Sequence, residues 1–184
     1  MIDFKSFLEI KDLIDTNKIN AIELVNDVTN KLETVGRSLN AVRFVFKEFA
    51  IERTKKLLEK QEQELPLNCI PLAHKELFQR VQKNGISWPN EGGSRSREGL
   101  KSDKTAKVIS LLDKAGSIDC GRLVSVEYAF GVTGHNNYAG TPKNPWNKDY
   151  VCGGSSSGSA AIVAAGLVPA AGSPLANHVS FFPQ

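Results

Sequence analysis

The most informative stretch of the sequence is Gly153-Gly-Ser-Ser-Ser-Gly-Ser159, which leads directly into the apolar run Ala160-Ala-Ile-Val-Ala-Ala165. Residues this small let a backbone bend sharply and approach another group closely. The alanine-rich segment from Ser159 to Ala165 predicts a helix that Gly166 ends. A tight turn that opens directly into a helix N-terminus can bind an anion, and we expect this turn to carry function.

Two other interpretations of the Gly/Ser stretch are a flexible linker and a phosphate-binding loop. Linkers do not usually lead straight into a compact apolar helix. A phosphate-binding loop needs Lys and then Ser or Thr after its final glycine, whereas Ser159-Ala160 follow Gly158 here. The whole segment from Asn136 to Gly158 is rich in Asn, Gly, Pro and Ser, which predicts a long loop.

Helical patterns dominate residues 1–65. Apolar residues recur at helical spacing from Ser6 to Asp15, and Asn20 with Glu23 predicts a capping box at the start of a second helix. A third helix is expected from about Lys47 to Gln63, where charged helix formers are common. This first third is therefore predicted to be mostly helical.

Residues 66–171 change character and alternate between strand and helix. The short apolar run from Cys69 to Ala73 predicts a buried strand. Asp103 is expected to cap a helix that Gly116 ends in a left-handed conformation. The residues expected to face inward from that helix are Val108, Leu111 and Leu112. This alternation predicts an α/β fold.

Size and composition restrict the kind of protein. A chain of 184 residues with 41% hydrophobic residues fits one globular domain, and a net charge of +3 gives no argument for nucleic acid binding. Three scattered cysteines form no metal-binding pair and favour a reducing cytoplasm. No signal peptide or membrane span is recognisable. We expect no metal and no cofactor.

Several ordered motifs resemble the amidase signature family. They are Ile70-Pro-Leu-Ala-His-Lys-Glu-Leu-Phe78, Gly140-Thr-Pro-Lys-Asn-Pro-Trp146, Gly153-Gly-Ser-Ser-Ser-Gly-Ser-Ala160 and Ala164-Ala-Gly-Leu-Val-Pro169. The resemblance extends over nearly the whole chain to about Ala171. It implies the amidase-signature fold, a mixed β-sheet core flanked by α-helices, and hydrolysis of a small-molecule amide.

The resemblance also implies site residues. In this family a Ser-Ser-Lys triad acts, in which a neutral lysine takes a proton through a bridging serine whose preceding peptide bond is cis. The matching positions are Lys75 as the base and Ser155 as the bridge, with Gly153, Gly154 and Ser156 as the supporting loop. An exposed lysine has a pKa of about 10.4, so Lys75 must be desolvated before it can accept a proton at neutral pH.

The likeness stops after Ala171. A relative would continue with Leu-Gly-Ser-Asp-Thr-Gly-Gly-Ser, whose last serine is the nucleophile, whereas this chain continues with Gly172-Ser-Pro-Leu-Ala-Asn-His-Val-Ser180. Ser173 and Ser180 are not at the family spacing, so the nucleophile is expected to be absent. Residues 172–184 are therefore interpreted as a divergent tail of a truncated amidase domain spanning 1–184, inactive on its own.

Two further functions are kept as alternatives to amide hydrolysis. One is a non-catalytic remnant that binds another chain or associates with itself, because an uncovered sheet edge favours association. The other is a glutaminase-type subunit of an aminoacyl-tRNA amidotransferase, which shares this signature. Glu127 is a candidate supporting residue, although a surface glutamate is an equal alternative, and the three single histidines, His74, His135 and His178, suggest no catalytic triad.

Overall fold

A mixed β-sheet organises the part of the chain that the computed structural model describes, which is residues 5–59, 65–82, 84–173 and 180–181. Its strands in chain order are β1 (Val42–Val45), β2 (Pro71–Lys75), β3 (Ile118–Leu123), β4 (Ala170–Gly172) and β5 (Ser180–Phe181). Across the sheet the order is β1-β3-β2-β4-β5. The central strand β2 runs parallel to β3 and β4, whereas β1 and β5 pair antiparallel at the edges. The predicted α/β fold with a mixed sheet is confirmed.

Five α-helices accompany the sheet in the described ranges. They are α1 (Phe7–Asp15), α2 (Ala21–Lys31), α3 (Lys47–Glu59), α4 (Lys107–Lys114) and α5 (Ser157–Ala164). A π-helical turn at Leu32–Gly36 extends α2, and 3-10 turns lie at Arg95–Arg97 and Glu127–Ala129. The third predicted helix begins as expected, and its expected end near Gln63 lies outside the described residues.

Side-chain hydrogen bonds cap the N-termini of the first two helices. The Asn20 side chain accepts hydrogen bonds from the backbone N–H groups of Ile22 and Glu23, as its half of the predicted capping box requires. The reciprocal box is found at α1, where Ser6 and Glu9 each bond the other's backbone. These bonds satisfy N–H groups that a helix N-terminus leaves unpaired.

One apolar core joins the helices to the sheet. Its buried residues include Val25 and Val28 from α2, Ile70 before β2, Cys120 from β3 and Ile162 from α5. Burying side chains of this kind is worth roughly 1.5–3 kcal/mol each, which stabilises the sheet against the N-terminal helices. Within the described residues, no helix combines the length and apolar character needed to cross a bilayer.

Two details differ from the sequence predictions. Helix α4 begins after Ala106 without a side-chain cap, so the prediction that Asp103 caps it is wrong. Val108 and Leu111 are exposed, and Ile109 is instead the buried residue of α4, with Leu112 packed against the core. Compared with the predicted orientation, the helix is rotated about its axis, so that positions 109 and 112, three apart, face inward. Gly116 does end this segment with φ +94°, as predicted.

Strand β3 carries a buried ionic network that joins three elements. The Asp119 carboxylate accepts hydrogen bonds from Arg122 Nη1 (2.8 and 3.0 Å) and Arg80 Nε (3.0 Å). Arg80 also bonds both carboxylate oxygens of Asp113 at 2.9 and 2.8 Å. Both guanidinium groups lie over the Trp88 ring, 5.0 and 4.9 Å from its centroid. Burial alone would raise the pKa of Asp119, but the guanidinium groups of Arg122 and Arg80 hold it well below its usual range.

Candidate active site

Lys75 is the last residue of β2, the central strand. Parallel strands end together at one edge of a sheet, and ligands of α/β proteins bind in the crevice at this edge. Every residue of β2 is buried, and Lys75 itself is 0% exposed. Burial disfavours the ammonium form and lowers the pKa of Lys75 from 10.5 to about 8. A substantial fraction of this amine is therefore neutral near physiological pH.

Two serines from the Gly/Ser stretch contact this amine. Lys75 Nζ lies 2.7 Å from Ser155 Oγ and 3.1 Å from Ser156 Oγ. The Gly154–Ser155 peptide bond is cis, the conformation that the resemblance implies. Residues some 80 positions apart in sequence thus meet at hydrogen-bonding distance, which is the arrangement that a proton relay between a hydroxyl and an amine needs.

Backbone hydrogen bonds hold the Gly/Ser loop against the segment that follows β3. The Val126 N–H donates to Ser155 O at 3.0 Å, and the Gly158 N–H donates to Val124 O at 2.9 Å. Gly153 has φ +72°, a left-handed conformation that favours glycine. A Cβ on Gly154 would lie 2.9 Å from the backbone nitrogen of Gly134. The small residues of this loop therefore allow the close approach that presents Ser155 and Ser156 to the lysine.

Gly158 offers a direct test of this close approach. A Cβ at this position would lie 2.4 Å from Ala41 O and 2.7 Å from Val124 O, both of them rigid backbone atoms. We expect Gly158→Ala to push α5 away from the sheet and to lower the free energy of unfolding by about 1–3 kcal/mol. Urea unfolding followed by circular dichroism measures the change. Ala160→Ser, on the partly exposed side of the same helix, is the control, and an unchanged midpoint for Gly158→Ala would show that the approach is not required.

Titratable neighbours of Lys75 differ in their environment. Burial lowers the pKa of His74 to about 4, so this histidine is neutral. Burial raises the pKa of Glu76 to about 7, with Arg43 opposing the rise and Glu91 adding to it. His135 is exposed, and His178 lies outside the described residues. Within the described ranges, no group of three or more His, Cys, Asp or Glu side chains is placed to hold a metal ion.

Glu127 lies in the 3-10 turn beyond the segment that holds the Gly/Ser loop. Its side chain is exposed, and its Oε1 accepts a hydrogen bond from Ser94 Oγ at 2.6 Å. The neighbouring residues Tyr128 and Ala129 have positive φ values of 50° and 59°. Glu127 is therefore a surface glutamate that ties this turn to Ser94, and its supporting role at the site stays a prediction.

A third hydroxyl, from a serine that the sequence analysis had rejected as a nucleophile, also reaches this group. Ser173 Oγ lies 2.6 Å from Ser156 Oγ. Ser173 directly follows β4, and β4 pairs with β2 in the register Ala73 with Ala171 and His74 with Gly172. Ser173 therefore follows Gly172 at the carboxyl end of β4, the end at which Lys75 closes β2. Only the pairing of the two strands reveals this proximity, which is why spacing along the chain did not.

Known proteins resemble this chain along most of its length. The amidase family model matches residues 23–173. A glutamyl-tRNA(Gln) amidotransferase subunit from Cupriavidus metallidurans is 36% identical over 168 residues, covering 90% of this chain and 32% of the relative. The corresponding protein from Coxiella burnetii is 34% identical over 170 residues and is covered to 34%. The chain thus spans about a third of the length of these curated relatives.

Solved structures agree with the sequence comparisons. A bacterial aryl acylamidase of the amidase signature family superposes with a TM-score of 0.82 at 30% identity, covering 92% of this chain and 35% of that one. A protein from a vestigial complex related to an s-triazine catabolic enzyme gives a TM-score of 0.81 at 27% identity, covering 90% and 36%. The predicted amidase-signature fold is confirmed, and the chain belongs to the amidase signature family.

Proposed function

We propose, against the expectation of an inactive chain drawn from its divergent tail, that the protein hydrolyses a carboxylic amide C–N bond through an acyl-enzyme, with Lys75 as the base and Ser155 as a proton bridge. The observation that carries this proposal is the 2.7 Å contact between Lys75 Nζ and Ser155 Oγ, made by an amine whose pKa is lowered to about 8. A base is most effective when its pKa lies near the working pH. The family to which the chain belongs supports this class of reaction.

The reaction requires two proton transfers, and Lys75 can serve both. The neutral amine first takes the proton of the attacking hydroxyl, while the C–N bond is still intact. The resulting ammonium then returns a proton through Ser155 to the departing amine, which lets the C–N bond break. Gly153 and Gly154 keep the loop backbone close enough for Ser155 to reach the amine, and Ser156 provides a second hydroxyl on Lys75.

The dependence of the rate on pH tests the role of Lys75. Because the neutral amine is the active form, activity is lost as pH falls through the pKa of about 8. We expect the hydrolysis rate to rise about tenfold per pH unit below that value and to level off above it. Initial rates from pH 6 to 10 on an arylamide substrate measure this profile. An inflection near the ordinary histidine value of about 6.5 would assign the base to another residue.

A second candidate substrate is suggested by the relatives of this chain. They are amidotransferase subunits for glutamyl-tRNA(Gln), which supports a glutaminase-type reaction as an alternative to hydrolysis of other amides. The aryl acylamidase likeness supports an aryl amide. Parallel assays with glutamine and an acylanilide separate the two, because the preferred substrate should show the higher kcat/KM and the same loss on replacement of Lys75.

A partner-binding role is favoured by a different observation. Phe130, Val132 and Tyr150 are 92%, 81% and 67% exposed, an unusual exposure for large apolar side chains near a site. Such exposed apolar side chains favour association, either with a second copy of this chain or with another protein. Sedimentation analysis over a hundredfold concentration range, with Phe130→Ser and Val132→Ser together as the comparison, tests this role.

We also propose a cytoplasmic location, which the buried free thiols of Cys69 and Cys120 support.

A further inference from the structure

Two segments of backbone contact the Gly/Ser loop and hold it in place. In the first segment, the Val126 N–H donates to Ser155 O at 3.0 Å. The second segment packs directly on the loop, because a Cβ on Gly154 would lie 3.0 Å from Gly131 O and 2.9 Å from Gly134 N. The position of the Ser155 hydroxyl therefore depends on how firmly these two segments are joined to each other.

The side chain of Asn136 joins these two segments. Asn136 lies at the end of the second segment, and its Nδ2 donates to Ser125 O, in the first segment, at 2.7 Å. The same nitrogen donates to Gly93 O at 2.8 Å. Its Oδ1 accepts hydrogen bonds from the backbone N–H groups of Tyr138 and Ala139 at 2.9 and 2.7 Å. Both N–H groups and both lone pairs of the amide are thus bonded to backbone groups.

Burial makes this amide difficult to replace. Asn136 is 4% exposed, and the two residues whose carbonyls it bonds are buried as well. A Cβ on Gly93 would lie 2.7 Å from Asn136 Nδ2 and 3.0 Å from Ser125 O, so the amide reaches both carbonyls because glycine stands there. A buried polar group that loses its partner costs more free energy than the hydrogen bond itself contributes. Loss of the amide nitrogen would leave both carbonyls without this donor and the two segments without this connection.

This connection matters for Lys75 because the Gly/Ser loop covers its amine. The hydroxyls of Ser155 and Ser156 contact Lys75 Nζ, and the lysine is 0% exposed. Desolvation is the cause that lowers the pKa of Lys75 to about 8. Glu76, the carboxyl next in sequence, is instead 4.0 Å from Arg43 Nε. A loop that moved away would admit water to the amine and return the pKa of Lys75 toward its ordinary value.

We propose that Asn136 is a positioning residue, whose side-chain amide fixes the two segments that hold the Gly/Ser loop and thereby keeps Ser155 on the Lys75 amine and water away from it. Its effect on the reaction rate rests on the proposed amide hydrolysis, whereas its effect on Lys75 can be measured without turnover. Displacing a catalytic group by about 1 Å can cost on the order of 100-fold in rate. A residue that acts only through backbone groups can therefore control the site.

Titration of the Lys75 amine tests this role directly. In the 184-residue chain labelled with ¹³C-lysine, the Cε resonance of Lys75 is identified by its loss in Lys75→Met and followed as pH is raised. We expect an inflection near 8 in the wild type and one higher by about one pH unit or more, a tenfold change in the dissociation constant, in Asn136→Ser. Serine can still accept from the following turn but is too short to reach Ser125 O. The core variant Ile14→Ala, in α1, should lower stability and keep the wild-type inflection.

Either of two titration results would overturn this role. One is an Asn136→Ser chain that is folded by circular dichroism and keeps the wild-type Lys75 inflection. The other is a wild-type Lys75 that titrates at the ordinary lysine value. If Asn136→Ser does not fold, hydrogen exchange in the wild type decides. The Asn136 Nδ2 protons should exchange about 100-fold or more slowly than those of the exposed Asn147, and equally rapid exchange would overturn the role.

Amide hydrolysis measured on the same variants separates this inference from the proposed function. We expect kcat to fall about 10- to 100-fold in Asn136→Ser while KM stays within about twofold, because the substrate contacts are unchanged. A Lys75 inflection that moves in a chain without hydrolysis would reject the function and keep the positioning role. Hydrolysis that depends on Lys75 and proceeds at the full rate in folded Asn136→Ser would reject the role and keep the function.

Discussion

Replacement of Lys75 by methionine is expected to lower the rate of amide hydrolysis by about 10²–10⁴-fold, the usual contribution of a general base. Methionine is unbranched and of similar length, so it fills the buried space at the end of β2 without an amine. Both hydroxyls that bond Lys75 Nζ, those of Ser155 and Ser156, lose their proton acceptor in this variant. Initial rates on an acylanilide, at a pH above 8, measure the effect.

Two companion variants identify the cause of that loss. Lys75→Arg keeps a positive charge but has no accessible neutral form, so it should be as inactive as Lys75→Met if the lysine acts as a base. The exposed Lys104→Met changes the net charge equally and should retain full activity. Lys75→Arg with near-normal activity would instead show that the site needs only a positive charge there.

The catalytic candidates could be found from the sequence because they lie in unusually informative motifs. A lone lysine after an apolar run has no special meaning, and only the Gly/Ser loop and its flanking motifs connected Lys75 with Ser155 across about 80 residues. The contact at 2.7 Å has the geometry that this connection requires. The proximity of Ser173 to Ser156 could not be found in the same way, since it arises from the pairing of β2 with β4.

Element prediction was most reliable where local chemistry decides the structure. The asparagine cap of α2 and the left-handed Gly116 depend on a few neighbouring residues, and both were predicted. Strand β1 was not, because Val42–Val45 is only four residues long and becomes a strand by pairing with β3. The rotation of α4, which buries Ile109 and exposes Val108, is likewise decided by packing partners distant in sequence.

Replacement of Asp119 by asparagine is expected to lower the free energy of unfolding by about 3–5 kcal/mol, the typical cost of breaking a buried ion pair by removing one partner. Asp119 is 1% exposed and lies between the guanidinium groups of Arg80 and Arg122. Without this carboxylate, each of the two buried guanidinium groups loses an ion-pair partner. Urea unfolding at pH 7 measures the change, with the exposed Asp149→Asn, expected within about 0.5 kcal/mol of wild type, as the control.

The same variant links the ionic network to the active site. Asp119 pairs with Leu72 in the register between β2 and β3, and Arg122 Nε donates to Phe78 O just beyond Lys75. Weakening this network should therefore loosen the end of β2 and reduce hydrolysis in Asp119→Asn even under conditions where the variant remains folded. A folded variant with a full hydrolysis rate would show that β2 keeps Lys75 in place without Asp119. A loss of stability below about 1 kcal/mol would mean that Asp113 and the Trp88 ring suffice to hold the two cations.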